Sequence, residues 1–185
     1  MTDLAPRLWW IRRDLRLHDN PALLAASGGE DGHTGSHPVL AVFVLDDTLW
    51  DPAGTPRRDY LMTSLARLDA ATSGHVLLVH GTPEHAIPAL ARSVGADEVH
   101  VAADYGPYGA RRDEAVAQAL GDDAALVRTG SPYAVAPGRV TKDDGEPYKV
   151  YTPFSRSWEK HGWRAPAPAP SASAGSTRPR WTSVA

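Results

Sequence analysis

Short apolar runs alternate with amphipathic stretches over the first 130 residues. The runs Leu8–Ile11, Val39–Leu45, Val76–His80, Glu98–Ala102 and Leu126–Arg128 predict five strands. Most are continuous rather than alternating, the pattern of strands covered on both faces. Between them, apolar residues recur with helical spacing. Arg57–Ala71 sets Tyr60, Leu61, Ser64, Leu65 and Leu68 on one face, and Ala86–Val94 and Gly109–Leu120 repeat the pattern. Thr55-Pro56, Thr82-Pro83 and Thr152-Pro153 each read as an N-cap hydroxyl followed by proline at the first helical position. Asn20-Pro21 does the same with an amide. A last helix is predicted over Thr152–His161, after an irregular stretch with turn signals at Pro137-Gly138 and Asp144-Gly145.

Strands and helices in strict alternation predict an α/β fold: a five-stranded parallel, Rossmann-like sheet with helices on both faces. Right-handed crossovers favour the strand order 3-2-1-4-5. Ligands then bind at the carboxyl ends of strands 1 and 4, where the order reverses. Those ends are Arg12–Asp19 and Ala103–Gly109. Gly28–His37 reads as a surface loop. Residues 1–164 form the expected domain, and the Ala-, Pro- and Ser-rich 165–185 reads as a linker or tail outside the sheet. So little follows this segment that the chain reads as the first part of something longer.

The 185 residues fit one domain of ordinary globular composition, 42% hydrophobic and 22% charged. No apolar run approaches the ~18–20 residues of a membrane span, and the N-terminus lacks the apolar core of a signal peptide. With no cysteine, thiolate metal sites, disulfides and cysteine nucleophiles are excluded. The expected location is the cytoplasm. Residues 1–127 carry 10 basic and 18 acidic side chains, whereas 128–185 carry 9 and 4. The acidic part is a poor nucleic-acid surface. The basic part is weakly suggestive of one, and equally a solvated loop region.

Two clusters carry candidate chemistry. Three arginines and two aspartates lie in Arg12–Asn20. They suit bidentate recognition of an anionic or carbonyl-bearing ligand, or an ion-pair network that fixes the loop. Asp104-Tyr105-Gly106-Pro107-Tyr108-Gly109 offers two rings to stack, an acceptor for a ring N–H and two glycines for close approach. It reads either as a pocket for a flat heteroaromatic molecule or as a loop closed by aromatic packing. Ser27-Gly28-Gly29-Glu30-Asp31 only superficially resembles a pyrophosphate loop, since Gly32 stands where a final serine belongs. His33 and His37 lack companions for a metal site. No GxGxxG, Walker loop, GxSxG or HExxH is present. The remaining histidines His75, His80, His85 and His100 read as structural.

Several separated segments together resemble one family. Leu8–Leu23 (LWWIRRDLRLHDNPAL) is similar to the amino-terminal signature of the DNA photolyase/cryptochrome family. Val42–Asp46 resembles its second strand and Leu78–Pro83 its third. Asp104–Gly109 with Arg112-Asp113 resembles its fourth-strand loop. Lys149–Phe154 with Trp158 resembles the segment that closes its first domain. The resemblance covers residues 6–164. It implies an α/β domain that holds a light-harvesting antenna chromophore. A following all-helical domain, absent from these 185 residues, would hold FAD, bind damaged DNA and contain the electron-transfer tryptophans.

Folate-type members carry an acid where Gly109 stands. Pro107-Tyr108-Gly109 is more similar to members that bind a deazaflavin, or FMN in the same pocket. By that resemblance the pocket comprises Val44, Leu45, Asp46, Arg57, Asp104, Tyr105, Gly106, Pro107, Tyr108, Gly109 and Arg112, with Arg12 and Arg13 nearby. An acid common in deazaflavin members is replaced by Gly106, and one further contact belongs to the helical domain. The implied cofactor is a deazaflavin-type chromophore, ahead of FMN or methenyltetrahydrofolate. The implied partner is the helical FAD domain, with DNA reached only through it. Self-association through the face that domain would cover is a further expectation, and the chain alone is expected to be inactive in repair. The rival expectations are a stand-alone nucleotide-binding protein of the universal-stress or electron-transfer-flavoprotein type, and a cryptochrome photoreceptor fragment.

Overall fold

A computed structural model describes residues 4–28 and 37–169. Five strands form one all-parallel sheet: β1 (Arg7–Ile11), β2 (Val39–Leu45), β3 (Val76–His80), β4 (Glu98–Val101) and β5 (Ala125–Arg128). Their order is β3-β2-β1-β4-β5, as the alternation predicts. Register is set along the whole of β1, from Arg7 opposite Val39 to Ile11 opposite Phe43.

Alternation along each strand divides the core into two layers. Leu8 and Trp10 of β1, with Leu40, Val42 and Val44 of β2, face α4 (Pro83–Val94) and α5 (Pro107–Leu120) through Ile87, Ala91, Val116 and Leu120. Trp9, Ile11, Val39, Ala41 and Phe43 face α1 (Pro21–Ala26) and α3 (Thr55–Ala71) through Ala22, Leu23, Ala26, Leu65 and Leu68. The central strands are buried on both faces. The edge strands are not: β3 and β5 are partly exposed, and Leu78 shows 41% of its surface. A continuous apolar run therefore marks burial in the central strands β2, β1 and β4 but not at the edges.

The Xaa-Pro signals start helices, but by different means than a hydroxyl cap. Asn20 does cap α1, its Oδ1 accepting from Leu23 N at 3.0 Å. Helix α3 begins one residue early, with Gly54 as N-cap and Thr55 already helical. Thr82 caps α4 by backbone position only, its hydroxyl paired with His85 Nδ1 at 2.8 Å. The last helix, α6, runs Tyr151–His161 with Val150 at the cap. Gly106-Pro107 opens α5 by the same proline logic. A short helix absent from the sequence pattern, α2 (Asp47–Trp50), is nucleated by Asp46, whose carboxylate accepts from Thr48 N at 3.1 Å.

None of the described helices is long and apolar enough to cross a membrane. The Gly28–His37 loop and the 165–185 tail fall mainly outside the described residues. Of the tail, 165–169 lies outside the sheet and is tied to the loop between β1 and α1. Ala167 N donates to Asp19 Oδ1 at 2.9 Å, and Asp19 N donates to Ala167 O at 3.1 Å. Arg164 adds an ion pair to Asp19 at 2.7 Å.

Candidate functional site

A cleft of 540 Å³ opens at the carboxyl ends of β1, β2 and β4, a volume that suits a small molecule. Its floor is the end of β1. Trp10, Ile11, Arg12 and Arg13 all line it. Arg12 is largely buried. It donates to the Asp113 carboxylate and to the Ala102 carbonyl, which joins the ends of β1 and β4 to α5. Burial pulls the Arg12 pKa down, as does the neighbouring Arg112 charge, while Asp113 opposes the shift. The guanidinium carbons of Arg12 and Arg112 lie 4.8 and 5.2 Å from the Trp10 ring. Both contacts fall within cation–π range.

The wall at the start of α5 is polar. Asp104 Oδ1 accepts from Gly106 N at 3.1 Å, and Arg112 Nη2 stands 3.5 Å from Oδ2. Arg13 Nη1 lies 3.9 Å from Oδ1. A Cβ at Gly109 would fall 2.2 Å from Asp104 Cγ and 2.7 Å from its Cβ. Gly109 is thus glycine because the Asp104 side chain occupies the volume its own side chain would need. Arg112 is fixed by Asp113, from Nη2 at 2.9 Å and Nε at 3.1 Å.

The opposite wall is apolar: Phe43, Val44, Leu45, Leu49, Leu61 and Pro83. Tyr108 crosses to it, its hydroxyl donating to Asp46. Burial disfavours the phenolate and the Asp46 hydrogen bond adds to the effect, so the Tyr108 pKa is pushed up to about 12. At the mouth, Arg58 lies over the Trp50 ring at 4.9 Å and donates to the Trp50 and Asp51 carbonyls. Arg57 lines the cleft and is exposed, its guanidinium without a partner among the described residues.

Of the residues picked out in the sequence, Arg12, Arg13, Val44, Leu45, Asp46, Arg57, Asp104, Gly106, Pro107, Tyr108, Gly109 and Arg112 all meet in this cleft. Tyr105 does not line it. Its ring packs edge-on against Tyr133 at 6.4 Å between centroids. The ion-pair reading of the Arg12–Asn20 cluster is the one seen among the described residues. Arg12 belongs to a buried ion-pair network, while Arg13 is half-exposed at the cleft and stacks on Tyr133. The sequence reading missed Trp10, Trp50, Arg58 and Tyr60. Strand alternation could have placed Trp10 beside Arg12, and helical spacing could have placed Tyr60 beside Arg57.

The DNA photolyase family matches this chain over residues 7–171. A deoxyribodipyrimidine photo-lyase of Halobacterium salinarum is 36% identical over 172 residues, covering 89% of this chain and 36% of its own length. One from Agrobacterium fabrum is 38% identical over 159 residues, 84% of this chain and 32% of its length. Among solved structures, a class III photolyase of Agrobacterium tumefaciens superposes with a TM-score of 0.82 at 34% identity. It covers 98% of this chain and 37% of that one. A Synechocystis cryptochrome shares the fold, with a TM-score of 0.75 at 20% identity over 92% of this chain and 37% of its own. The chain therefore spans about a third of the length of these relatives.

Proposed function

The chain belongs to the DNA photolyase family, and on that premise we propose that it is the antenna domain of a deoxyribodipyrimidine photo-lyase, holding a flat light-absorbing chromophore in the cleft. The observation that carries this reading is the cleft itself, with an apolar wall opposite a polar one at the reversal of strand order. A three-ring, weakly polar chromophore needs apolar contact over its faces and a few polar anchors at its edge. Phe43, Val44, Leu45 and Leu61 supply the first, and Asp104, Arg112 and Arg13 the second. When bound, the chromophore would supply the absorption of light.

A deazaflavin fits this wall better than methenyltetrahydrofolate does. Position 109 has no room for the folate-type acid while Asp104 holds its place. Arg57, exposed at the α3 start, is a free cation for an anionic or carbonyl group. FAD, DNA contact and a helical partner domain belong to this proposal through the family. Residence in the cytoplasm is part of the same proposal.

Fluorescence titration of the chain with 8-hydroxy-5-deazariboflavin and with methenyltetrahydrofolate tests the reading. The deazaflavin is expected to bind more tightly. Asp104→Ala should weaken it by roughly ten- to a hundredfold, the loss of one charge-assisted hydrogen bond of about 1.5–3 kcal/mol. Equal or tighter folate binding would overturn the assignment.

A further inference from the structure

Among the described residues two tryptophans line the cleft, Trp10 on its floor and Trp50 at its mouth. Each lies under a guanidinium. Arg12 and Arg112 stand 4.8 and 5.2 Å from the centre of the Trp10 ring, and Arg58 stands 4.9 Å from that of Trp50. Trp158 and Trp163 lie outside the cleft and pack on each other instead, 5.1 Å apart. The cation at the mouth is fixed by carbonyls. Arg58 donates Nε and Nη2 to the Trp50 oxygen at 3.1 and 2.8 Å, and Nη2 to the Asp51 oxygen at 2.9 Å. These partners are neutral, so the charge of Arg58 is undiminished. Arg12 and Arg112 pair with Asp113 and Asp104, which offset part of theirs. Burial lowers the Arg12 pKa, yet a guanidinium stays protonated at neutral pH.

We infer that Arg58 at Trp50, and Arg12 with Arg112 at Trp10, keep the indoles of the cleft from giving up an electron, so that light absorbed there is not quenched by the protein. This rests on the chromophore reading of the cleft and deepens it. Indoles are readily oxidised rings. Loss of one electron leaves the indole a radical cation. The acceptor would be the light-excited ring held beside it, and return of the electron would release the excitation as heat. No bond breaks and nothing is oxidised in the end, so the only trace is lost light. A positive charge at the distance of these guanidiniums raises the energy of the radical cation, since like charges so close repel by several times thermal energy. The same cation stabilises the neutral indole through the negative face of its ring. Both effects oppose electron loss. The shield is strongest at Trp50, where no carboxylate partner dilutes Arg58 among the described residues.

Time-resolved fluorescence of 8-hydroxy-5-deazariboflavin and of FMN, each saturating the chain, is the test. In the unaltered chain the bound lifetime should stay within about twofold of the free one. Arg58→Met keeps the aliphatic stem and removes the charge, and should add a decay at least about tenfold faster. Arg58→Lys keeps a charge and should keep the long lifetime. The double variant Arg58→Met/Trp50→Phe should restore it, which separates loss of the cation from loosened packing at the mouth. Arg112→Met should shorten the lifetime too, by way of Trp10, and the Arg58 series decides if that variant folds poorly. A lifetime unchanged by Arg58→Met, or shortened equally in Arg58→Met/Trp50→Phe, overturns the inference and leaves the cleft reading standing. Failure of both probes to bind the unaltered chain overturns both.

Discussion

Asp104 in the loop before α5 and Tyr108 in its first turn are four residues apart, yet they serve opposite walls. Asp104 stays on its own side, while Tyr108 reaches across to Asp46. A phenol held this way keeps its proton far into the alkaline range. Its folded pKa, about 12, stands above the ordinary value of 10.0. The strut's contribution to stability is thus complete below pH 10 and lost as pH rises through about 12. Ultraviolet titration of phenolate should show one of the six tyrosines ionising late, and Tyr108→Phe should delete that step alone. At this scale the sequence was informative about which residues meet and silent about what they bond. Asp104 was legible as an acceptor. That its carboxylate fills the volume above Gly109 depends on side-chain placement, which no spacing rule encodes.

Helices and strands were legible where periodicity runs long, and less so where a single side chain decides. The order of the sheet follows from alternation and handedness. Helix α2 has four residues, too few for a period, and exists because Asp46 caps it. The cap of α1 is the strongest single local device. Asn20 is 1% exposed, accepts from Leu23 N, and donates to the Asp14 and Arg16 carbonyls at 3.2 and 3.0 Å. Asn20→Ala would orphan three backbone groups, two of them buried, so a loss of about 2 kcal/mol is expected. A melt should drop by several degrees. On β4, His100 is buried beside Glu98, at 3.0 Å, with Arg7 and His37 contributing like charge. Burial outweighs Glu98 and keeps the imidazole pKa below its usual 6.5. The unfolded chain then takes up a proton that the folded one refuses, so stability falls as pH drops below 6.5. His100→Gln should flatten that part of the melting-temperature profile, and an unchanged slope would assign the loss to other groups.

Across the whole molecule, the loop before α1 is linked to the segment after α6 through Asp19, a residue in the left-handed region at φ 50°. The Ala167 amide, and after it Arg164, hold the Asp19 pKa below 3.8. The clasp is therefore complete at neutral pH and lost only as pH falls below 3.8 through the folded pKa. Asp19→Ala should speed hydrogen exchange at the Ala167 amide with little change in the sheet, and unchanged protection there would contradict the clasp. Helix α6 buries none of its residues, and Tyr151 and Trp163 are 79% and 61% exposed. Such surface favours association. Sedimentation of the chain is expected to show mass rising with concentration, and Tyr151→Ser with Trp163→Ser should suppress the rise.

The contact between Asp104 and Gly109 also constrains the order in which the loop can change. A side chain gained at 109 while Asp104 remains produces an overpacked turn, with the new carbon far inside van der Waals contact with the carboxylate. The opposite order, in which 104 shrinks before 109 grows, passes through a chain that folds and merely holds its ligand less well. Two neighbouring states of the cleft are thus joined by one passable route of the two available. A population of such sequences would be expected to cross between ligand classes through weak binders, not through unstable proteins.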